Sequence, residues 1–251
     1  MEPIYSEKFE VTTASVDRFG RLKPSWILYF TQQVAGVHCR LLQADLTLPE
    51  HAHLFWAVIR HRVQVTRLPR EKEVITVETW PMPTTRTAFP RCVIARDALG
   101  NELFRVLSLW VLMDKNTRKM VLPGKSGVDV PGLVRGNELA PPSGLMPKPM
   151  SCQIQRFVGF SELDINGHVN NTRYLDWIFD LLPSDFHRSH EIREFTVCYL
   201  SEAMEGESLE LNWELSQEAV LQVDSHRMNR EKENEKERVF SAQLLFESGV
   251  L

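Results

Sequence analysis

The sequence predicts an α+β protein built from two tandem copies of one small domain, each a helix laid against an antiparallel sheet. Three observations carry this. Each half opens with a β-like run, a polar turn and a stretch of helical period. Each half then continues as a meander of four β-like runs. A proline- and glycine-rich stretch lies between them.

In the first half, Tyr5 to Ala14 is β-like, and Asp17-Arg18-Phe19-Gly20 is a polar turn. Pro24 and Ser25 then precede apolar residues at Ile27, Phe30, Val34, Val37 and Leu41, a 3.6-residue spacing that predicts a long helix. Four strands are expected next: Leu54 to Thr66, Glu73 to Trp80, Arg86 to Ala95 and Leu103 to Asp114, with a turn at Gly100-Asn101 before the last. Between Pro131 and Met150, Pro131, Pro141, Pro142, Pro147 and Pro149 remove backbone donors, so this is a linker. The expected division is a domain over 1–135, a linker over 136–150 and a domain over 151–251.

The second half repeats the order. Ile154 to Phe160 is β-like, Asp164-Ile165-Asn166-Gly167 is the turn, and Asn170 or Asn171 can cap a helix carrying Leu175, Ile178, Phe179 and Leu182. Pro183 lies just beyond that helix. Strands are expected over Ile192 to Leu200, Ser208 to Leu215, Ala219 to Ser225 and Arg238 to Phe246. The nearly all-polar run His226 to Arg238 reads as a solvated hairpin loop. The two turns carry Asp and Gly at the same spacing, which supports an internal duplication.

The 251 residues, 43% hydrophobic and 25% charged, are enough to bury a substantial core. A net charge of -4 gives no general attraction to nucleic acid. No run reaches the roughly 18 apolar residues of a membrane span, and Met1 to Glu10 lacks the pattern of a secretory signal. Cys39, Cys92, Cys152 and Cys198 form no C-x-x-C pair and read as free thiols. A cytoplasmic protein is expected.

The densest polar cluster runs from Asp164 through His168 to Asn170 and Asn171, between a strand and a helix start. Backbone N–H groups there favour a developing oxyanion. His168 can move a proton near neutral pH, Asp164 can orient it or act on a carbonyl, and Asn166 can donate to an oxygen. Together they are the parts of an acyl-transfer site. The bland alternative is a turn and a helix cap. No histidine at i+4 and no nearby cysteine suggests a metal, and no cofactor is expected.

The run from Asp164 to Asp180 resembles the D-x-N-x-H-V-N-N-x-x-Y signature of acyl-[acyl-carrier-protein] thioesterases, a double hot-dog family of plants and bacteria. Asp164, Asn166, His168, Val169, Asn170, Asn171, Tyr174 and Trp177 fit it. Val16-Asp17 with Gly20, Gln32 to Gly36, Val77 to Pro81 and Tyr199 to Glu202 agree as well, so the resemblance spans both halves. It implies two hot-dog domains forming a pseudo-dimer in one chain. It also implies catalysis by Asp164, Asn166, His168 and Glu202, an acyl-carrier protein as partner, and free fatty acid as product. Many plant members have a cysteine after the glutamate; here Ala203 stands there, which excludes a cysteine nucleophile at that position. Cys198 reads as core. Whether Asp164 attacks directly or polarises water stays open.

In the first half Phe19 and Arg21 replace the amide and the imidazole, so that half resembles the family's pocket-shaping half. Trp26, Phe30, Phe55, Trp56 and Trp80 are candidates to line an acyl pocket, with Asn170 and Asn171 as further substrate contacts. Arg60 and Arg62, followed by Arg67 and Arg70, are candidates for a carrier-protein patch. An acyl-coenzyme A thioesterase, a non-catalytic acyl- or carrier-binding module and a dehydratase of the same fold are the competing readings. Monomer and homodimer are both compatible with the sequence.

Overall fold

The computed structural model describes residues 2–228 and 235–249. The chain divides into two compact units, Met1–Pro142 and Ser143–Leu251.

The first unit contains β1 (Tyr5–Glu10), α1 (Pro24–Leu41), β2 (Leu54–Val65), β3 (Val74–Pro81), β4 (Phe89–Arg96), β5 (Glu102–Asp114), β6 (Met120–Val121) and α2 (Pro123–Ser126). Its strands lie antiparallel in the order β1-β3-β4-β5-β2, with β6 folded back on β5. Pro24 begins α1, where its missing N–H costs nothing. Ile27, Leu28, Phe30, Thr31, Val34, Ala35 and His38 form the buried stripe. Leu41 faces solvent, contrary to the predicted stripe, and Leu42 takes the buried place as the helix ends.

From Phe89 to Ala95, β4 is buried on both faces. One face meets α1. The other, with Cys92 and Ile94, packs with Trp80, Leu107 and Leu139. Leu139 lies in the expected linker, so 136–142 is part of this unit rather than a free tether. Arginine donors hold it there. Arg60 donates to the Pro142 carbonyl at 3.3 Å, Arg62 to Ala140 at 3.5 Å, and Arg105 to Asn137.

The second unit contains β7 (Cys152–Phe157), α3 (Arg173–Asp180), α4 (Ser184–Ser189), β8 (His190–Tyr199), β9 (Ser208–Leu215), β10 (Val220–Met228) and β11 (Lys236–Ser248). Its antiparallel order is β7-β9-β10-β11-β8. Read as first, third, fourth, fifth and second strand, this is the order of the first unit. Both units are therefore of hot-dog type, as expected. On α3, Tyr174, Leu175, Trp177 and Ile178 are buried, with the Tyr174 ring 4.6 Å from that of Phe240.

The second helix is shorter than predicted. Pro183 disfavours helical backbone at Leu182, and the chain restarts as α4 one residue after it. The polar run 226–238 is also less of a loop than expected. His226, Arg227 and Met228 pair with Arg238, Glu237 and Lys236 in the ladder, and opposite charges stabilise it: Arg227 meets Glu237 at 3.0 Å and Arg238 meets Asp224 at 2.8 Å. The rest of that predicted loop, 229–234, lies outside the described residues.

Candidate active site

The turn at 164–168 is a closed hydrogen-bonded frame. The Asp164 N–H donates to the His168 carbonyl at 2.7 Å, and the Gly167 N–H to the Asp164 carbonyl at 3.0 Å. Asp164 Oδ1 accepts the Asn166 N–H at 2.8 Å and the His168 N–H at 3.3 Å. Gly167 sits at φ 77°, where a side chain would be strained. Asn166 Nδ2 lies 3.4 Å from Asp164 Oδ2, and the Asn166 side chain is exposed.

His168 reaches Glu202 because two loops pair. The Val169 N–H donates to the Ala203 carbonyl at 2.9 Å, and His168 bridges to Met204. This brings His168 Nε2 within 3.4 Å of Glu202 Oε2. The imidazole side chain is 16% exposed and the carboxylate 39%, so the pair opens toward solvent. Arg227, itself buried, supports the Glu202 loop. It donates to the Glu202 carbonyl, to Ser201 Oγ at 2.6 Å and to Glu207 at 3.1 Å. All four predicted catalytic residues thus meet in one network.

Asn170 and Asn171 are placed differently from the expectation. Thr172, not an asparagine, occupies the cap position of α3. Asn170 Oδ1 accepts from the Thr172 N–H at 3.0 Å and its hydroxyl at 2.9 Å, and the Asn170 carbonyl accepts the Arg173 N–H. Those two amides near the helix start are therefore already engaged. The Asn171 carbonyl accepts the Tyr199 hydroxyl at 3.1 Å. The Asn170 side chain thus holds the start of α3, and the Asn171 backbone is tied to β8.

Behind the turn lies Glu162, which was not singled out in the sequence. Glu162 accepts from Trp177 Nε1 at 2.7 Å, Arg156 at 2.6 Å and the Gly159 N–H at 2.8 Å. Burial raises its pKa, but these donors outweigh it and hold the carboxyl below its ordinary value. Burial pushes the Tyr174 and Tyr199 hydroxyls up, keeping both neutral. The spacing of Glu162 and Trp177 carries no local signal that they meet.

The first unit repeats the frame without the chemistry. Asp17 Oδ1 accepts the Phe19 N–H at 2.8 Å and the Arg21 N–H at 3.0 Å, and the Asp17 N–H donates to the Arg21 carbonyl at 2.7 Å. Gly20 has φ 73°. The Leu22 N–H donates to the Pro69 carbonyl, and Arg21 bridges to Arg70. Two residues before Arg70 stands Leu68, in the place of Glu202.

The predicted pocket aromatics are dispersed. A partly open cavity of about 130 Å³ lies between α1 and the sheet of the first unit, and of the five only Trp56 lines it. Trp110, Phe89, Ala35 and Gly36 line it too. Trp80 is fully buried on the opposite sheet face. Phe30 is core against Phe9 at 4.6 Å, Trp26 packs on Tyr29 and Phe30, and Arg118 covers the Phe55 ring at 4.9 Å. Alternation along β2 puts Phe55 and Trp56 on opposite faces, which the aromatic run hid. The Gln32, Ala35, Gly36, Cys39 spacing, a single helix face, was the available signal for the cavity.

The arginines of the candidate basic patch all make contacts within the first unit. Arg60 and Arg62 hold the 140–142 segment, Arg67 pairs with Glu73 at 2.8 Å and Asp97 at 3.6 Å, and Arg70 donates to the Phe19 carbonyl at 3.1 Å. Among the described residues no group of three or more His, Cys, Asp or Glu is placed to hold a metal ion. No helix among them is long and apolar enough to cross a membrane.

Residues 2–122 match the acyl-ACP thioesterase N-terminal domain and residues 150–243 the C-terminal domain. A palmitoyl-acyl carrier protein thioesterase of Gossypium hirsutum is 27% identical over 79% of this chain, and an oleoyl-acyl carrier protein thioesterase of Arabidopsis thaliana 25% identical over 81%. The chain spans 52% and 61% of the length of these two relatives. An acyl-ACP thioesterase from Bacteroides thetaiotaomicron superposes with a TM-score of 0.83 at 25% identity, covering 98% of each chain. A 12:0-ACP thioesterase from Umbellularia californica shares the fold, with a TM-score of 0.83 over 99% of each chain at 22% identity. Two adjoining domain models of one family thus account for most of the sequence, and the chain belongs to the acyl-ACP thioesterase family.

Proposed function

We infer that this protein hydrolyses fatty acyl thioesters of an acyl-carrier protein, releasing free fatty acid and ending chain elongation. The observation that carries this is the His168–Glu202 pair at 3.4 Å, set beside the Asp164–Asn166 frame and open to solvent. A thiolate leaves readily, so the chemistry needs a nucleophile and a stabilised oxyanion. Glu202 and His168 orient a water and remove its proton as it attacks the carbonyl carbon. The exposed Asn166 amide donates to the developing oxyanion. The tetrahedral intermediate collapses with loss of the carrier's thiolate, which His168 reprotonates.

Water is favoured over direct attack by Asp164. Asp17 makes the same backbone bonds in the copy that lacks the amide, the imidazole and the second acid. The bonding of Asp164 is thereby explained by the turn alone. The free thiols at all four cysteines agree with a reducing compartment, and we place the protein in the cytoplasm.

The test is release of free fatty acid from acyl-carrier-protein substrates of graded length, with matched acyl-coenzyme A thioesters alongside. His168→Ala and Glu202→Ala are expected to cut turnover at least about 10²-fold with circular dichroism unchanged. Near-wild-type hydrolysis by either folded variant would overturn the site. Faster turnover of the coenzyme A series would overturn the choice of carrier.

A further inference from the structure

The backbone bonds of the two frames correspond residue for residue, so each unit is a control for the other. In the second unit the Val158 N–H donates to the Glu207 carbonyl, the Gly206 N–H to Val158 and the Leu200 N–H to Val239. In the first, the Val11 N–H donates to the Glu73 carbonyl, the Lys72 N–H to Val11 and the Thr66 N–H to Leu103. With the Arg21–Arg70 and His168–Met204 bridges, this sets 10–22 against 157–169 and 65–73 against 199–207.

In that register the second unit exposes five large apolar side chains: Phe157, Phe160, Ile165, Leu200 and Met204. The first unit has Glu10, Thr13, Arg18, Thr66 and Arg70 at the same places. Phe157 is 70% exposed, Phe160 79%, and Ile165 is fully exposed. The first copy closes the same frame with polar residues at all five positions, so the fold has no need of the apolar ones. Single exposed apolar residues are ordinary. Five of them on segments laced together around one site mark a surface that meets another molecule.

Charge divides the same way. Residues 157–172 and 199–207 contain no lysine or arginine, but carry Glu162, Asp164, Glu202, Glu205 and Glu207. The arginines that reach these segments are engaged: Arg156 with Glu162 at 2.6 Å, and buried Arg227 with the Glu202 carbonyl and with Glu207 at 3.1 Å. The counterpart stretches 10–25 and 65–73 hold Arg18, Arg21, Lys23, Arg67, Arg70 and Lys72.

We propose that Phe157, Phe160, Ile165, Leu200 and Met204 form the docking surface for the acyl-carrier protein, and that apolar contact rather than charge holds it. This rests on the carrier-thioester reading of the same site. Ile165 stands in the turn that carries Asp164 and His168, and Met204 bridges to His168. A protein that presents a thioester to the solvent-open His168–Glu202 pair therefore lies against them. With no cation on these segments, an anionic lipid surface finds nothing to hold it, and an acidic partner gains nothing from charge. Buried apolar and aromatic area is what remains to anchor the complex.

Steady-state hydrolysis of one acyl-carrier-protein substrate and of the matched acyl-coenzyme A thioester tests this. Phe157→Ser combined with Phe160→Thr is expected to raise KM for the carrier substrate about ten- to thirtyfold, with kcat within about twofold. The coenzyme A thioester should be unaffected, because it brings the pantetheine arm without the protein. Phe160→Thr alone should raise KM about threefold, so the result does not hang on how the double variant folds. Wild-type KM for the carrier substrate should change less than about threefold between about 0.05 M and about 0.5 M sodium chloride. A carrier KM unmoved by the double variant, an equal loss on both thioesters, or a wild-type KM rising steeply with salt would each overturn the proposal. Phosphatidylglycerol vesicles that sediment the wild-type chain but not the double variant would reassign the patch to a lipid surface. The carrier reading itself fails separately, in the wild-type protein alone, if the coenzyme A thioester turns over faster, and the proposal then falls with it.

Discussion

Asp164 and Asp17 show how one residue type can be read for two purposes. Each carboxylate collects two backbone N–H groups and closes the same turn. Asparagine keeps the accepting oxygen of such a turn but cannot attack a carbonyl. Asp164→Asn is therefore expected to retain at least about tenfold more turnover than Asp164→Ala, whose frame has lost the accepting oxygen. Equal loss in both variants, measured as kcat on one acyl-carrier substrate, would return the nucleophile role to Asp164. Asp164, Asn166 and His168 stood out because their types and spacing match a chemical task, whereas Glu202, 34 positions on, entered only through the family resemblance. Asparagine serves equally as ligand contact, cap and turn former, and at Asn170 only the Thr172 contacts show that the side chain holds the helix start.

Between turn and helix, Glu162 is the fastener. It ties the Phe160–Glu162 turn to α3 through Trp177 and to β7 through Arg156. A carboxylate whose folded pKa lies below its unfolded one stabilises the fold at pH above both values, and that contribution fades as pH falls through the folded pKa. Glu162→Gln should lower unfolding free energy by about 1–2 kcal/mol at pH 7. The gap should narrow once pH drops below the ordinary value of 4.5. Urea denaturation of both proteins from pH 7 to pH 3 checks this, and a gap independent of pH would contradict it. At this scale the sequence was clear wherever periodicity was strong. Ser208–Leu215 was placed at its true ends, and β2, β3 and β5 within a residue or so. It failed for α4, whose six residues are too few to show a period, and for the polar ends of β10 and β11, where cross-strand charge pairs replace apolar alternation.

In the molecule as a whole, the repeated strand order and the repeated frame identify a duplication more firmly than the shared Asp and Gly could. They also separate stability from chemistry. Asp17→Ala and Asp164→Ala each remove a carboxylate that satisfies two amides, so each should cost about 1–3 kcal/mol in its own unit. Only the second should abolish fatty acid release. Paired calorimetry and activity assays on the two variants would refute this if Asp17→Ala were inactive while still folded. The pocket was the least legible feature, because which aromatics face a cavity depends on strand register and on the bulge near Val58 in β2, neither of which is written locally. The frame itself behaves as a socket. It grips its insert at the first position by carboxylate and at the fourth by backbone geometry, and the second carboxylate oxygen is left over to meet what the insert displays: Arg21 Nε at 3.1 Å from Asp17 in one copy, Asn166 Nδ2 at 3.4 Å from Asp164 in the other. Whatever the insert displays is carried at no expense to the grip, so the same mount can present an amide and an imidazole in one copy and an aromatic ring and a guanidinium in the other.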